Sequence, residues 1–155
     1  MRITARTRLC LAIGDPIEHS LSPQMHNAGY VALNIDDQYV YLASRVKVDS
    51  LADFIKGVRA MGIRGVSCTL PHKTAIIRYL DEVDEVAGKV GAVNTVVNDD
   101  GVLRGFNTDW LGAVIPLGRL TSLKGKKVAL LGAGGTARAV AYGMSQKGAE
   151  LTIFG

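Results

Sequence analysis

The stretch LLGAGGTARA, from Leu130 to Ala139, carries the glycine pattern G-x-G-x-x-A directly after a short apolar run. A strand is predicted over Lys127–Leu131, a helix after the glycines, and a second strand over Glu150–Phe154, which together make one βαβ unit. Gly132 permits a tight turn and Gly134 lets a pyrophosphate approach the backbone, while free amides at the helix N-terminus can bind phosphate. The stretch therefore indicates a dinucleotide-binding turn, with a plain strand-to-helix turn as the alternative.

Strands and helices alternate through the chain before this unit. Strands are predicted at Leu9–Ile13, Gln38–Ala43, Gly65–Leu70, Thr95–Asn98 and Val102–Phe106. Helices are predicted after Ser22 as N-cap, from Ser50 to Gly62, over His72–Leu80 and Asp84–Val90, and from Asp109 through Pro116. Asp100-Gly101 marks a hairpin turn between the last two of these strands. The alternation predicts an α/β layered domain at residues 1–118, joined through a linker at Gly118–Lys126 to the start of a second domain at 119–155.

Composition argues against several classes of function. The chain of 155 residues is 48% hydrophobic and 21% charged, with a net charge of +4 from 18 basic and 14 acidic residues. Its few aromatic residues are not interleaved with the basic ones, so no nucleic-acid partner is expected, and no apolar stretch is long enough to span a membrane. Cys10 and Cys68 lie inside apolar runs, so we expect reduced core thiols in a cytoplasmic protein. The three histidines are scattered, so no metal site is expected.

Polar residues cluster where predicted strands and helices end. Ser20 and Ser22 place two hydroxyls at the mouth of a helix, where they suit a carboxylate, although a turn and a helix cap are the simpler interpretation. Lys73 follows a strand and a proline break, so it is either a proton donor in a cleft or a solvated surface lysine. Asn94 and Asp109 are candidates for binding hydroxyls, with a turn residue and an N-cap as the alternatives. Together these clusters suit a polyhydroxylated, anionic substrate.

Five ordered stretches carry a specific family resemblance: GDPIEHSLSPQMHN, GVSCTLPHK, DEVDEVAGKVGAVNTVV, GFNTDWLGA and LLGAGGTARA. In this order they resemble the shikimate dehydrogenase family, including the dehydrogenase part of fused dehydroquinate dehydratase–shikimate dehydrogenases. The resemblance implies a three-layer substrate-binding domain with a mostly parallel sheet, followed by the first βαβ unit of a Rossmann-type NADP-binding domain. Many members carry asparagine where this chain has Ser67, and the version with SCT and PHK looks more like the fused enzymes.

Matching positions imply roles for individual residues. Ser20 and Ser22 would hold the substrate carboxylate, and Thr69, Asn94 and Asp109 would bind ring hydroxyls. Lys73 and Asp109 would be the catalytic pair, and Lys73 also lies in the implied substrate site. The residues implied at the cofactor pyrophosphate are Gly132, Ala133, Gly134, Gly135 and Thr136. The family reaction is the reversible reduction of 3-dehydroshikimate to shikimate with NADPH, in the biosynthesis of chorismate and the aromatic amino acids, with NADP expected here in preference to NAD.

The glycine turn is followed by only one further strand before Gly155. A dinucleotide fold needs two such halves. The sequence therefore predicts that this chain is an inactive fragment of the enzyme, and that it self-associates through surfaces that the missing part would cover. An NAD-dependent quinate/shikimate dehydrogenase shares these motifs, and a non-catalytic module that binds a shikimate-like anion is a rival from another class.

Overall fold

The structure is a computed structural model that describes residues 3–155. Met1 and Arg2, the first two residues of the domain predicted at 1–118, lie outside the described residues. Strands lie at β1 Arg8–Gly14, β2 Tyr39–Arg45, β3 Gly65–Cys68, β4 Glu82–Val83, β5 Thr95–Asp99, β6 Val102–Phe106, β7 Lys127–Leu131 and β8 Glu150–Phe154. Helices lie at α1 Ser22–Ala32, α2 Leu51–Ala60, α3 His72–Ala75, α4 Glu85–Val90, α5 Asp109–Leu120 and α6 Gly135–Gln146, with 3₁₀ turns at Val48–Ser50 and Ile76–Tyr79.

Within residues 3–155, the larger sheet has six strands in the order β2-β1-β3-β5-β6-β4. β1 runs parallel to β2 and to β3, and β6 runs parallel to β4, whereas β5 is antiparallel to both of its neighbours. The reversal follows from the hairpin, in which Asp100 and Gly101 have φ of 52° and 95°, the left-handed conformations that the Asp-Gly pair adopts readily. Five strands therefore point one way, which confirms the expected α/β fold with a mostly parallel sheet.

The alternation of side chains along β1 divides the core between the two faces of this sheet. Leu11 and Ile13 face α2 in a cluster that includes the buried helix residues Leu51, Ile55 and Val58. Cys10 and Ala12 face the other side, where they pack with Tyr41 and with Tyr30 of α1. Helices on both faces of one sheet give the three expected layers.

The glycine-rich segment forms the predicted βαβ unit. β7 and β8 pair in parallel, with Lys127 opposite Glu150, and α6 connects them. α6 also packs on the first part of the chain: Ala139 is fully buried against Val90 and Ala92, and Trp110 and Tyr142 make an edge-to-face contact with ring centroids 5.6 Å apart. α6 of the βαβ unit therefore packs directly against α4, α5 and the residues that follow α4.

Some expected local features differ in the structure. The N-cap of α1 is Leu21 and not Ser22, because Ser22 is already the first residue of the helix and Pro23 is the second. No side chain of the described residues makes a capping hydrogen bond to this helix. The helix expected over His72–Leu80 divides into α3 and a 3₁₀ turn. The linker segment begins inside α5, which continues to Leu120, and Leu123 is buried against α5 and α6.

Two kinds of feature are absent from residues 3–155. None of the helices combines the length and apolar character needed to cross a bilayer. In the same range, no three side chains from His, Cys, Asp and Glu are grouped so that they could hold a metal ion.

Candidate active site

A cleft of about 620 Å³ opens at the carboxyl end of the larger sheet. Its walls come from the ends of β1 and β3, the start of β5, the loop after β6 and the N-terminus of α1. All six residues assigned to the substrate from the sequence line it: Ser20, Ser22, Thr69, Lys73, Asn94 and Asp109. These side chains are up to 89 positions apart in the sequence, from 20 to 109, and the structure brings them together.

Backbone hydrogen bonds fix the loops that carry these side chains. Thr69 N–H donates to the carbonyl of Ile13 at 2.9 Å, which continues the pairing of β3 with β1 beyond the strand. Asn94 accepts at its carbonyl from Cys68 N–H at 2.7 Å and donates its N–H to the carbonyl of Phe106 at 3.0 Å. Because β5 is reversed, the residue before this strand lies at the same edge as the residues after β3 and β6.

Lys73 and Asp109, which both line the cleft, form an ion pair. Lys73 Nζ lies 2.6 Å from Asp109 Oδ2, and the two side chains are 14% and 21% exposed. Lys73 lies on α3, and its carbonyl accepts from Val93 N–H at 2.8 Å, so its backbone is anchored beside the loop of Asn94. The arrangement excludes the solvated surface lysine and supplies an ammonium that can donate a proton next to a carboxylate that stabilises its charge.

Asn94 connects the pair to the rest of the cleft. Its Nδ2 donates to Asp109 Oδ1 at 2.7 Å and to Thr108 Oγ1 at 2.9 Å. Its Oδ1 accepts from Thr108 N–H at 3.1 Å and from Thr95 Oγ1 at 2.9 Å. The amide orientation of Asn94 is therefore determined by its neighbours, and Asp109 uses its carboxylate on Lys73 and Asn94 rather than on a helix cap.

The two serines line the cleft where α1 begins. Ser22 N–H donates to Ser20 Oγ at 3.3 Å, as in the expected turn, but the Ser22 hydroxyl caps no helix. The side chain of Asn27 pins α1 to the edge strand β2, since it donates to the carbonyl of Tyr41 and accepts from its N–H, both at 2.9 Å. Both hydroxyls thus retain a hydrogen to donate into the cleft.

Four further residues of the motif stretches also line the cleft, and the sequence indicated no role for them. His19, Ser67, Thr95 and Thr108 also line the cleft, and each adds a hydrogen-bonding group. Their residue types alone did not distinguish them from ordinary loop residues. Cys68 reaches the cleft as well, but burial raises the pKa of its thiol to about 12, which excludes a thiolate nucleophile at neutral pH.

His72, adjacent to the lysine, has a different environment. It is fully buried, and its Nε2 lies 2.7 Å from the carbonyl of Val46, while Nδ1 has no hydrogen-bond partner among the described residues. Val46 N–H in turn donates to the carbonyl of Gly14 at 3.1 Å. The imidazole therefore holds the chain after β2 against α3, outside the cleft.

The glycine turn lies beside the other side of Lys73. Gly132 has a φ of 105°, and no atom of residues 3–155 lies within 4 Å of the position that a Cβ would take at Gly132 or Gly134. The N-cap of α6 is Gly134, and no side chain of the described residues makes a capping hydrogen bond to the first amides of this helix. Thr136, in the first turn, accepts from Lys73 Nζ at 2.9 Å. The proposed cofactor and substrate residues thus meet at this contact.

Comparisons with known proteins show which family this chain resembles. The family model for the shikimate dehydrogenase substrate-binding domain matches residues 12–96. Among curated relatives, the shikimate dehydrogenase (NADP(+)) of Methanosphaera stadtmanae is 45% identical over 145 residues, 94% of this chain and 50% of that protein. The enzyme of the same name from Carboxydothermus hydrogenoformans is 47% identical over 154 residues, 99% of this chain and 54% of that protein. The chain spans about half the length of the curated relatives it matches.

Solved structures show the same similarity. Shikimate dehydrogenase from Aquifex aeolicus superposes with a TM-score of 0.94 at 38% identity, over 98% of this chain and 57% of that one. Shikimate 5-dehydrogenase from Thermus thermophilus, in complex with NADP(H) and shikimate, gives 0.83 at 39% identity, over 95% and 55%. The 5-ketofructose reductase of Gluconobacter sp. strain CHM43 gives 0.84 at 40% identity, over 97% and 54%.

The family model covers more than half of the chain. This chain belongs to the shikimate dehydrogenase family, and residues 12–96 match its substrate-binding domain.

Proposed function

We propose that this chain belongs to an NADP-dependent shikimate dehydrogenase that catalyses the reversible reduction of 3-dehydroshikimate to shikimate. The observation that carries the proposal is the Lys73–Asp109 pair, which lies in a hydroxyl-lined cleft and touches Thr136 beside a dinucleotide-type glycine turn. The two curated relatives, each named shikimate dehydrogenase (NADP(+)), support it. Such an enzyme would act in chorismate and aromatic amino-acid biosynthesis, and we place it in the cytoplasm.

The substrate would lie across the cleft with its carboxylate at α1. Ser20 and Ser22 would donate to the carboxylate, because their hydroxyls line the cleft and each retains a hydrogen to donate. Thr69, Asn94 and Asp109 would bind ring hydroxyls. This assignment follows from the hydrogen-bond donors and acceptors of the residues that line the cleft.

Lys73 would deliver a proton to the carbonyl oxygen of 3-dehydroshikimate as it becomes an alkoxide. Asp109, 2.6 Å from Lys73 Nζ, would orient the ammonium towards the carbonyl oxygen. In the reverse direction the amine takes the hydroxyl proton from shikimate. NADPH, when bound, supplies the hydride, so the protein's task is to fix geometry and stabilise charge.

The glycine turn fits such a cofactor. The residues that would lie against the pyrophosphate are Gly132, Ala133, Gly134, Gly135 and Thr136. Nothing lies within 4 Å of the Cβ positions of the first and third of these, and α6 presents its first amides without a side-chain cap. An uncapped, exposed helix N-terminus after a glycine turn is suited to a phosphate group.

We further propose that residues 1–118 form the substrate-binding domain and residues 119–155 the start of the NADP-binding domain. Each range corresponds to one of the two sheets, although α5 extends two residues past the proposed boundary, to Leu120. We also propose that the 155-residue chain self-associates, with a second copy packing on the β7–β8 sheet. Leu131, Ile153 and Phe154 of that sheet are exposed apolar side chains.

The experiment is a calorimetric titration of the 155-residue chain with shikimate and with a triol that lacks its carboxylate. Ser20→Ala together with Ser22→Ala should weaken shikimate binding more than binding of the triol. Equal losses for both ligands would show that the serines only stabilise the start of α1, and absence of shikimate binding to the unaltered chain would overturn the proposed substrate.

Turnover is then measured with NADP⁺ and with NAD⁺, using shikimate and quinate. We expect little activity from 155 residues, because one βαβ unit supplies half of a dinucleotide fold. In the complete protein, Lys73→Ala should lower turnover by roughly 10²–10⁴-fold, with a smaller effect on substrate affinity. Preference for NAD⁺ with quinate would favour the quinate/shikimate dehydrogenase, and binding without turnover by the complete protein would favour a binding module.

A second candidate is a reductase of uncharged polyhydroxylated ketones. The observation favouring it is that Ser20 and Ser22, the groups assigned to the carboxylate, are neutral donors, and the similar Gluconobacter protein is a 5-ketofructose reductase. Tighter binding of the triol than of shikimate in the titration would support this candidate.

A further inference from the structure

Lys73 Nζ has two acceptors in the described part of the chain. Asp109 Oδ2 lies at 2.6 Å and Thr136 Oγ1 at 2.9 Å. The lysine lies on α3, and the threonine lies 63 positions later, in the first turn of α6. We propose that Thr136 is a positioning residue for Lys73: its hydroxyl oxygen holds one ammonium N–H, so that the N–H left free points into the cleft. The inference rests on the proposed role of Lys73 as proton donor.

The physical reason lies in the geometry of an ammonium group. Lys73 Nζ carries three N–H donors at tetrahedral angles on a flexible four-carbon stem. One acceptor fixes one N–H but leaves the group free to rotate about that bond. A second acceptor, on a different element, fixes the rotation and hence the direction of the third donor. Asp109 and Thr136 are such a pair, because one begins α5 and the other lies in α6.

The backbone of α6 is held close enough for this contact. A Cβ added at Gly135 would lie 3.0 Å from Lys73 Cβ and 3.4 Å from Ala92 Cβ, so a residue without a side chain is needed for this approach. One turn later, Ala139 is fully buried in a cluster with Val90 and Ala92. The distance between the lysine and the threonine is therefore set by packing and not by the hydrogen bond alone.

The hydroxyl of Thr136 has a second capability. Its oxygen accepts from the lysine, and its hydrogen remains a donor. Thr136 is exposed and belongs to the glycine turn assigned to the cofactor, so one side chain serves both the turn and the lysine. The orientation of the proton donor is thereby coupled to the element that would hold the pyrophosphate.

The test is competitive acetylation of lysines with trace acetic anhydride, read by mass spectrometry on the full chain. Thr136→Val keeps the shape of the side chain but removes the acceptor, and Thr136→Ser keeps the hydroxyl. Lys56, whose side chain is 79% exposed and lies on α2, is the internal reference. We expect Thr136→Val to raise the acetylation rate of Lys73 about 3- to 10-fold relative to Lys56, the factor that loss of one hydrogen bond allows. Thr136→Ser should restore the wild-type ratio within about 2-fold.

An unchanged Lys73 ratio in Thr136→Val, or equal rises in Thr136→Val and Thr136→Ser, would overturn the inference. Circular dichroism melting of both variants shows whether α6 still packs; equal melting with different labelling supports positioning. The labelling needs no ligand, so its result stands apart from the shikimate titration. If labelling responds as expected but shikimate does not bind, the positioning contact stands and the proposed substrate fails.

Discussion

Replacing Asp109 by asparagine should leave a conflict that no rearrangement of the amide can remove. The carboxylate accepts from Lys73 Nζ at Oδ2 and from Asn94 Nδ2 at Oδ1. An asparagine has one oxygen and one NH₂ group, so in either orientation its NH₂ group faces a donor. Asn94 cannot turn over to relieve this, because its own oxygen already accepts from Thr108 N–H and Thr95 Oγ1.

The magnitude follows from the burial of the pair. Lys73 and Asp109 side chains are 14% and 21% exposed, so water can replace the lost interaction only in part. Loss of one charge-assisted hydrogen bond corresponds to about 1.5–3 kcal/mol, roughly 10- to 150-fold in the folding equilibrium. The matched control is Asp53→Asn, which breaks the Lys56–Asp53 pair at 2.8 Å, where both side chains are 79% exposed. Exposed pairs of this kind contribute little to stability, because water and salt screen the attraction.

Urea unfolding of the 155-residue chain at neutral pH measures both variants by the same assay. We expect Asp109→Asn to lower the free energy of unfolding by at least about 1 kcal/mol more than Asp53→Asn, a margin of roughly fivefold in the equilibrium constant. The reasoning is refuted if the two substitutions change the free energy of unfolding equally, because the site would then tolerate a donor facing a donor.

Three further outcomes are expected. Gly143→Ala should lower the free energy of unfolding in urea by about 0.5–2 kcal/mol, because its Cβ would lie 2.7 Å from a valine methyl of α5 and this overpacking exceeds the gain in helix propensity. Gly57→Ala should instead raise the free energy of unfolding, since no atom of the described residues lies within 4 Å of the position of its Cβ. Equal effects of the two substitutions would contradict this account. Burial raises the pKa of the thiols of Cys10 and Cys68, the latter to about 12, so both thiols should resist a thiol reagent at pH 8 until the chain unfolds. The free energy of unfolding should fall as pH rises from about 9, where the thiols of the unfolded chain ionise, towards 12. Rapid labelling of the folded chain would contradict this account. Leu131 is 81% exposed on β7, so sedimentation should show wild-type association that Leu131→Lys reduces, and a wild-type monomer at high concentration would disprove the self-association.

The sequence determined most of the element positions because their signals are local. Short apolar runs that end at glycine or proline predicted β1 and β3, and Asp100-Gly101 predicted the hairpin that reverses β5. By contrast, β4 has two residues, Glu82–Val83, and exists through its pairing with β6 and the ion pair from Arg104 to Glu82 at 2.8 Å. A strand of that length leaves no periodic pattern in a sequence.

The candidate site, like the fold, was predicted from the sequence only in part. Motifs placed Lys73 and Asp109 at the ends of predicted elements, and the family resemblance paired them. The contact with Thr136 had no local signal, because it joins residues far apart in sequence through the packing of α6. The prediction that Ser22 is the N-cap of α1 was wrong for a local reason. The residue before it, Leu21, is the N-cap, so the serine lies inside the first turn of the helix.

The ion pair in the cleft also bears on how a ligand arrives. Among the described residues that line the cleft, Lys73 and Asp109 are the only ones from the lysine, arginine, aspartate and glutamate types, and their opposite charges lie 2.6 Å apart. At the distance of an approaching anion the two fields nearly cancel, so the cleft exerts little long-range attraction. Any long-range attraction of an anion then comes from the net charge of +4 of the whole chain and not from the cleft, and it should weaken as ionic strength rises.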